Sequence, residues 1–315
     1  MKIEPVSLSY IDTGDVTFLT GHKGSFSPVR DSIREIGLIN FPVLRDTGES
    51  LQVVTGWKRI FALTELGFDE VMSKIYEPGE LSDEACLKYI YHDNSGRLDD
   101  MELADLVIKF RDMLGLGDRE MISDTLPFLG IPPSRKQYDR YLGLASLAKE
   151  IKEAYYRERI TIEQCQTLSE TALNERVLIL TRVLDKYKLN NNEFRQVIKE
   201  IEEVALRDKR PVSELIDEIE GVIGDRGRDD FRAELGKLRY PLLKGVEETY
   251  SEALKSMNLP GNVNITTGPY FEGNDIEIRI RVKSAQELSD AISSLEGVCG
   301  DGAIGKLISI VREGE

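Results

Sequence analysis

The hydrophobic pattern of this chain switches from strand-like to helix-like inside one short stretch, Val53 to Gly67 (VVTGWKRIFALTELG). A fold built on it must feed a buried strand straight into a helix, with a single glycine as the joint. Gln52 to Thr55 read as the strand; after Gly56, the apolar residues Ile60, Leu63 and Leu66, with Ala62, recur at helical spacing. Lys58 and Arg59 occupy the first helical turn, where the helix dipole disfavours positive charge. Two explanations stand open at this point. Gly56 is a simple turn followed by exposed cations, or the helix start holds an anion.

Around this joint, residues 1–94 alternate helix and strand. SPVRDSIREIGLI predicts a helix stopped by Gly37, FPVLRDTGESLQVVTG a hairpin turning at Thr47 and Gly48, EVMSKIYE a strand and LSDEACLKYIYHDN a helix. Residues 95–170 are helical, with Leu103, Leu106, Val107, Phe110 and Leu114 on one apolar stripe. A short helix (DREMISDTLPFLG), a turn at GIPPS and a further helix with Ser134 as N-cap then give the order of a helix-turn-helix.

Residues 171–227 predict two packing helices, a spacer or partner surface. One is buried through Phe194, Val197, Ile198, Ile201, Val204 and Ala205. The other is buried through Val212, Leu215, Ile216, Ile219 and Val222, with Pro211 in its first turn. Residues 228–315 open with a helix interrupted at Pro241. Two alternating strands follow (NVNITTG and DIEIRIRVK), then a helix capped by Ser284 and Glu287. The tail GAIGKLISIVREGE fits strand or helix. The class is α+β: an N-terminal α/β domain, a central all-α bundle and a small C-terminal α+β unit. So thin a terminal unit is expected to complete its core by dimerising.

The 315 residues carry 41 Lys and Arg against 56 Asp and Glu, a net charge of −15. That balance opposes general attraction to a polyanion and leaves nucleic-acid binding to a particular segment. The segment that fits is the start of the second helix of the helix-turn-helix, where Arg135, Lys136, Gln137 and Arg140 are placed to reach base edges or phosphates. A bundle serving protein contacts is the alternative. Three cysteines without CxxC spacing and two histidines give little material for a disulfide framework, a zinc site or a triad. No apolar signal core opens the sequence and no apolar run approaches spanning length, so a cytoplasmic protein without a membrane partner is expected.

In this order, the blocks resemble the ParB family of chromosome and plasmid partition proteins. DSIREIGLINFPVLRD followed by GWKRIFALTELG looks like the family's N-terminal ParB/sulfiredoxin-like domain. Its G-x-R-R-x-x-A motif is matched by Gly56, Lys58, Arg59 and Ala62. HDNSGRLDDMELA resembles the family's E-N-x-x-R segment through Asn94 and Arg97, with Asp93 in place of Glu. The final block is similar to the family's C-terminal dimerisation domain in element order. The order of the motifs carries the resemblance more than any one of them.

The resemblance implies a homodimeric clamp on double-stranded DNA that is gated by CTP. Gly56, Lys58, Arg59, Asn94 and Arg97 would hold the nucleotide, and Asp93 would serve as catalytic group and ligand of Mg2+. It also implies at most a slow CTPase activity, a nucleoid-associated location and a ParA-type ATPase as further partner. The sequence departs from the family at Trp57 and Lys58, where Glu and Arg are usual. The family's early proline- and arginine-containing segment is likewise not visible in FLTGHKGSFSPVRD.

Physical chemistry supports an anion at this helix start. A helix N-terminus presents free amides, and a glycine before it lets backbone approach phosphate closely. Arg59 adds a planar fork and Lys58 a point charge. His22 and Lys23, between Gly21 and Gly24, form either a plain loop or a second phosphate contact. Trp57, the sole tryptophan, reads as packed before it reads as a stacking platform. Two other classes stay open: a phosphotransferase or nuclease using Asp93, Asp99 and Asp100, and an acidic adaptor that keeps the scaffold without binding DNA.

Overall fold

The structure, a computed structural model, describes residues 1–21, 26–94, 96, 98–172, 174–268 and 275–313. Its N-terminal sheet has five strands: β1 (Lys2–Ser7), β2 (Ile11–Asp12), β3 (Val43–Asp46), β4 (Leu51–Thr55) and β5 (Glu70–Tyr76). They lie in the order β1-β5-β3-β4-β2. β1 runs antiparallel to β5 and β3 antiparallel to β4, whereas the β3–β5 and β2–β4 pairs are parallel. Asp46 tightens the β3–β4 hairpin by accepting the Gly48 amide at 2.7 Å.

Helices α1 (Ser27–Ile36) and α2 (Trp57–Glu65) place Ile33, Ile60 and Leu63 in one core with Leu44, Val53 and Val71 of the sheet. α3 (Asp83–Asp93) also packs on β4. An inner strand covered in this way is buried continuously, as β4 is from Gln52 to Thr55. Ser82 caps α3, its hydroxyl accepting the Ala85 amide.

α4 (Asp100–Leu114) is more enclosed than a single stripe predicts. Met101, Glu102 and Ala104 are buried beside Leu106, Val107 and Phe110, while Leu103 and Leu114 are half-buried. The reason is that α4 packs against both α3 and α7 (Arg135–Ala145). Between them lie α5 (Asp118–Glu120), a π-helical turn over Met121–Thr125 and α6 (Leu126–Phe128). α7 starts from Ser134, whose hydroxyl accepts the Gln137 amide at 3.2 Å. α8 (Lys149–Tyr156), α9 (Ile162–Glu170), α10 (Arg176–Ile179) and α11 (Asp185–Tyr187) follow.

The chain divides into two compact units, Met1–Arg195 and Gln196–Glu315, within α12 (Asn191–Asp208). In the second unit α13 (Val212–Ile223) packs on α14 (Arg228–Arg239), and α15 (Pro241–Ser256) packs on α17 (Ala303–Glu313), so the tail is a helix. The apolar face expected on α13 ends differently: Val222 is exposed and Ile223 buried. Pro211 stands at its N-cap rather than inside its first turn. β6 (Val263–Thr267) and β7 (Ile276–Ile280) pair antiparallel. α16 (Ala285–Gly300) is capped by the Ser284 hydroxyl, but the Glu287 carboxylate accepts the Lys283 amide instead of closing a capping box. Leu288 and Ile292 of α16 and Ile278 of β7 are exposed. Among the described residues no helix is long and apolar enough to cross a membrane.

Candidate functional site

β4 ends at Thr55, α2 begins at Trp57, and Gly56 is the joint. Its φ of +99° lies in the left-handed region. A Cβ there would come 2.8 Å from Cβ and 2.9 Å from Cα of Pro42. Only glycine turns the chain at this point. Among the described residues no side chain caps α2. The amides of Arg59 and Ile60 both return to the Gly56 carbonyl, at 2.9 and 3.1 Å. Those of Trp57 and Lys58 precede the first intrahelical bond and have no partner within the helix.

This helix start lines a cleft of 260 Å³, just under the roughly 300–1,000 Å³ usual for small-molecule sites. Gly56, Lys58, Arg59 and Asn94 supply polar lining; Phe18, Leu19, Val29, Trp57 and Phe61 supply an apolar and aromatic one. Trp57 is buried and packs on Phe61 with ring centroids 5.8 Å apart. Its indole N–H finds no acceptor among the described residues. A buried donor left unmatched costs about 1–3 kcal/mol.

Both cations are paired with carboxylates. Arg59 lies 3.3 Å from Asp93 Oδ2 and donates to the Phe41 carbonyl at 3.4 Å. Thr55 Oγ1 donates to the same Asp93 oxygen at 2.8 Å. Lys58 Nζ lies 3.4 Å from Glu102 Oε1. The other Glu102 oxygen accepts the Asp99 amide at 3.1 Å and completes the capping box of α4. Burial pushes the Glu102 carboxyl above its ordinary range, against the pull of Lys58. The loop before α1 is fastened alongside. Gly21 donates to Asp105 at 3.0 Å, and Lys109 donates to the Thr17 carbonyl at 2.6 Å. A Cβ on Gly21 would meet Glu102 Cγ at 2.8 Å.

Of the expected nucleotide ligands, Gly56, Lys58, Arg59 and Asn94 therefore meet in one cleft. Asn94 also donates its side-chain amide to the Ile90 carbonyl at 2.9 Å, closing the end of α3. Arg97, His22 and Lys23 lie outside the described residues. Asp93 is committed through Oδ2 to Thr55 and Arg59. Among the described residues no three His, Cys, Asp or Glu side chains gather as metal ligands. The other two carboxylates considered for phosphotransfer have structural partners. Asp99 caps α4, and Asp100 accepts from Arg140 at 2.6 Å and Tyr141 at 2.7 Å. Sequence reasoning missed Glu102 and the wall made by Phe18, Leu19 and Thr20. The Asp99-x-x-Glu102 spacing of a capping box was the available signal for Glu102.

At the start of α7, Arg135 is exposed and paired with Asp118 at 2.6 Å and Asp139 at 2.9 Å. Lys136 is exposed and Gln137 half-buried. Arg140 does not share that surface. It bonds Asp100 of α4 and, at 3.3 Å, Gln166 of α9, and its guanidinium lies 5.0 Å from the centre of the Tyr141 ring. A neighbouring carboxylate has drawn it into the helix packing.

No family model matches the chain. YubM, an uncharacterised protein of Escherichia coli strains K12 and O157:H7, is 31% identical over 153 residues, which is 46% of this chain and 22% of YubM. The chain thus spans about a fifth of the length of the curated relatives it matches. It is similar to the C-terminally truncated ParB of Caulobacter crescentus solved with parS, at 17% identity and a TM-score of 0.34, over 62% of this chain and 99% of that one. The same protein solved with CTP-γ-S matches at 19% identity and 0.26, over 57% and 99%. A pNOB8-like ParB N-domain matches at 18% and 0.38, over 78% and 96%. Superpositions this loose transfer no ligand or role.

Proposed function

We propose that this chain is a ParB-like DNA-binding protein, a dimeric clamp whose grip is controlled by a nucleotide. Its setting is chromosome or plasmid partition, or related gene regulation. One observation carries this reading: the uncapped start of α2, opened by an obligate glycine beside Arg59, adjoins an aromatic wall that holds an unmatched Trp57 N–H. A ligand with a planar ring and a phosphate tail suits both parts. The amides and dipole attract phosphate, the guanidinium fits its oxygens, and the ring meets the aromatic side chains. CTP is the first choice among nucleotides because of the sequence resemblance. Mg2+ travelling with the phosphates would draw on Asp93 Oδ1, since Thr55 and Arg59 use Oδ2. Any hydrolysis would be slow.

Arg135, Lys136 and Gln137 are the DNA-facing residues of this proposal, and Arg140 positions their helix against α4. The exposed Leu288, Ile292 and Ile278 would be covered by a second copy. A ParA-type ATPase and the nucleoid complete the expected surroundings. The sole tryptophan reports on the cleft directly. Titration with CTP, ATP, GTP and UTP, with and without duplex DNA, should change its emission saturably for CTP, and Arg59→Ala should shift that change to much higher CTP concentration. Silence toward all four would sink the reading. The net charge of −15 and the inward Arg140 favour one rival, an adaptor without DNA affinity. Binding that weakens as salt rises supports the clamp, and no binding at low salt supports the adaptor.

A further inference from the structure

Lys58 stands at the helix start where a phosphate would lie, yet a carboxylate of the protein already holds it. The two members of this pair are anchored unequally. Glu102 has 11% of its side chain exposed and is fixed by the Asp99 amide and the adjoining Gly21; Lys58 has 50% exposed on a long stem. Their separation of 3.4 Å exceeds the roughly 2.7–2.9 Å of a tight charge-assisted bond. The helix dipole also disfavours a cation at this end, so among the described residues Glu102 is what holds Lys58 there. Asp93 is different: Thr55 and Arg59 converge on one of its oxygens, an arrangement that orients the guanidinium.

Resting on the nucleotide reading above, we propose that Glu102 sets the affinity and charge preference of the cleft. It holds Lys58 until a phosphate takes its place, and the exchange opens the link between α2 and α4. A released Lys58 is drawn more strongly by each added phosphate, so the influence of Glu102, exerted through its hold on Lys58, grows from monophosphate to triphosphate.

Glu102→Gln tests this cleanly, because the amide oxygen can still accept the Asp99 N–H while the charge is gone. Trp57 emission is followed in the full chain as CMP, CDP and CTP are added to the wild type, Glu102→Gln, Lys58→Ala and the double variant. Glu102→Gln should tighten CTP binding about fivefold and CMP binding less. Most of the gain should vanish in the Lys58→Ala background. Unchanged or weaker CTP binding by a folded Glu102→Gln, or an equal gain without Lys58, overturns the exchange and leaves the nucleotide reading intact. Silence of both the wild type and Glu102→Gln toward every nucleotide defeats both. In the wild type, the carboxylate carbon-13 resonance of Glu102 should move as CTP saturates the cleft; a stationary resonance at saturation also overturns the exchange.

Discussion

Two helices of this protein begin with cations, α2 with Lys58 and Arg59 and α7 with Arg135 and Lys136, and the two starts are built in opposite ways. α7 is capped by Ser134, and Arg135 is 62% exposed between Asp118 and Asp139. α2 has no side-chain cap, follows a left-handed glycine, and lines a cleft in which buried or half-buried carboxylates hold its cations. The same sequence signal thus serves two physical ends. A capped, exposed start has its amides satisfied and can offer only side-chain charge to an extended polyanion. An uncapped, recessed start offers amides, dipole and guanidinium together to a small one.

The sharpest way to break the contrast is at the joint. Gly56→Ala should cost about 1–3 kcal/mol of stability through φ strain alone, with the Pro42 clash added, and should remove the nucleotide response; urea unfolding and Trp57 emission measure both. Next comes Arg59→Ala, which should weaken nucleotide binding by about ten- to a hundredfold, as loss of hydrogen bonds to a charged ligand predicts. It should leave nucleotide-free DNA affinity unchanged.

A smaller effect is expected at Asp100. Burial would raise its carboxyl, but the bonds from Arg140 and Tyr141 outweigh burial and hold it below its ordinary value. Its contribution is therefore complete above the unfolded carboxylate value and is lost as pH falls through the lowered folded one. Asp100→Asn should destabilise by about 1 kcal/mol at neutral pH, with the difference from wild type fading in acid; thermal unfolding across pH follows it. Smallest is Lys136→Ala, which should lower the slope of log affinity against log salt by about one while hardly touching stability. An unchanged slope would remove α7 from the DNA surface.

Much of the fold was legible because local rules decided it. Gly37 ends α1, Ser134 caps α7, and the strand-to-helix switch at Gly56 falls where the pattern changes. The site was half legible. Gly56, Lys58, Arg59 and Asn94 line one cleft, three of them because they sit on one helix start. Glu102 was hidden by its local role as a cap, and Arg140 by periodicity, which places a side chain on a face without naming the anion that will claim it.

The sequence by itself determined most of the element types, the joint and the cationic helix starts, since each depends on a few neighbouring residues and on backbone sterics. Tertiary structure alone decided which carboxylate meets which cation, that the tail is helical, and that the Trp57 N–H is left unmatched among the described residues. Those outcomes turn on burial and on charges brought together from distant parts of the chain, and no local pattern encodes either.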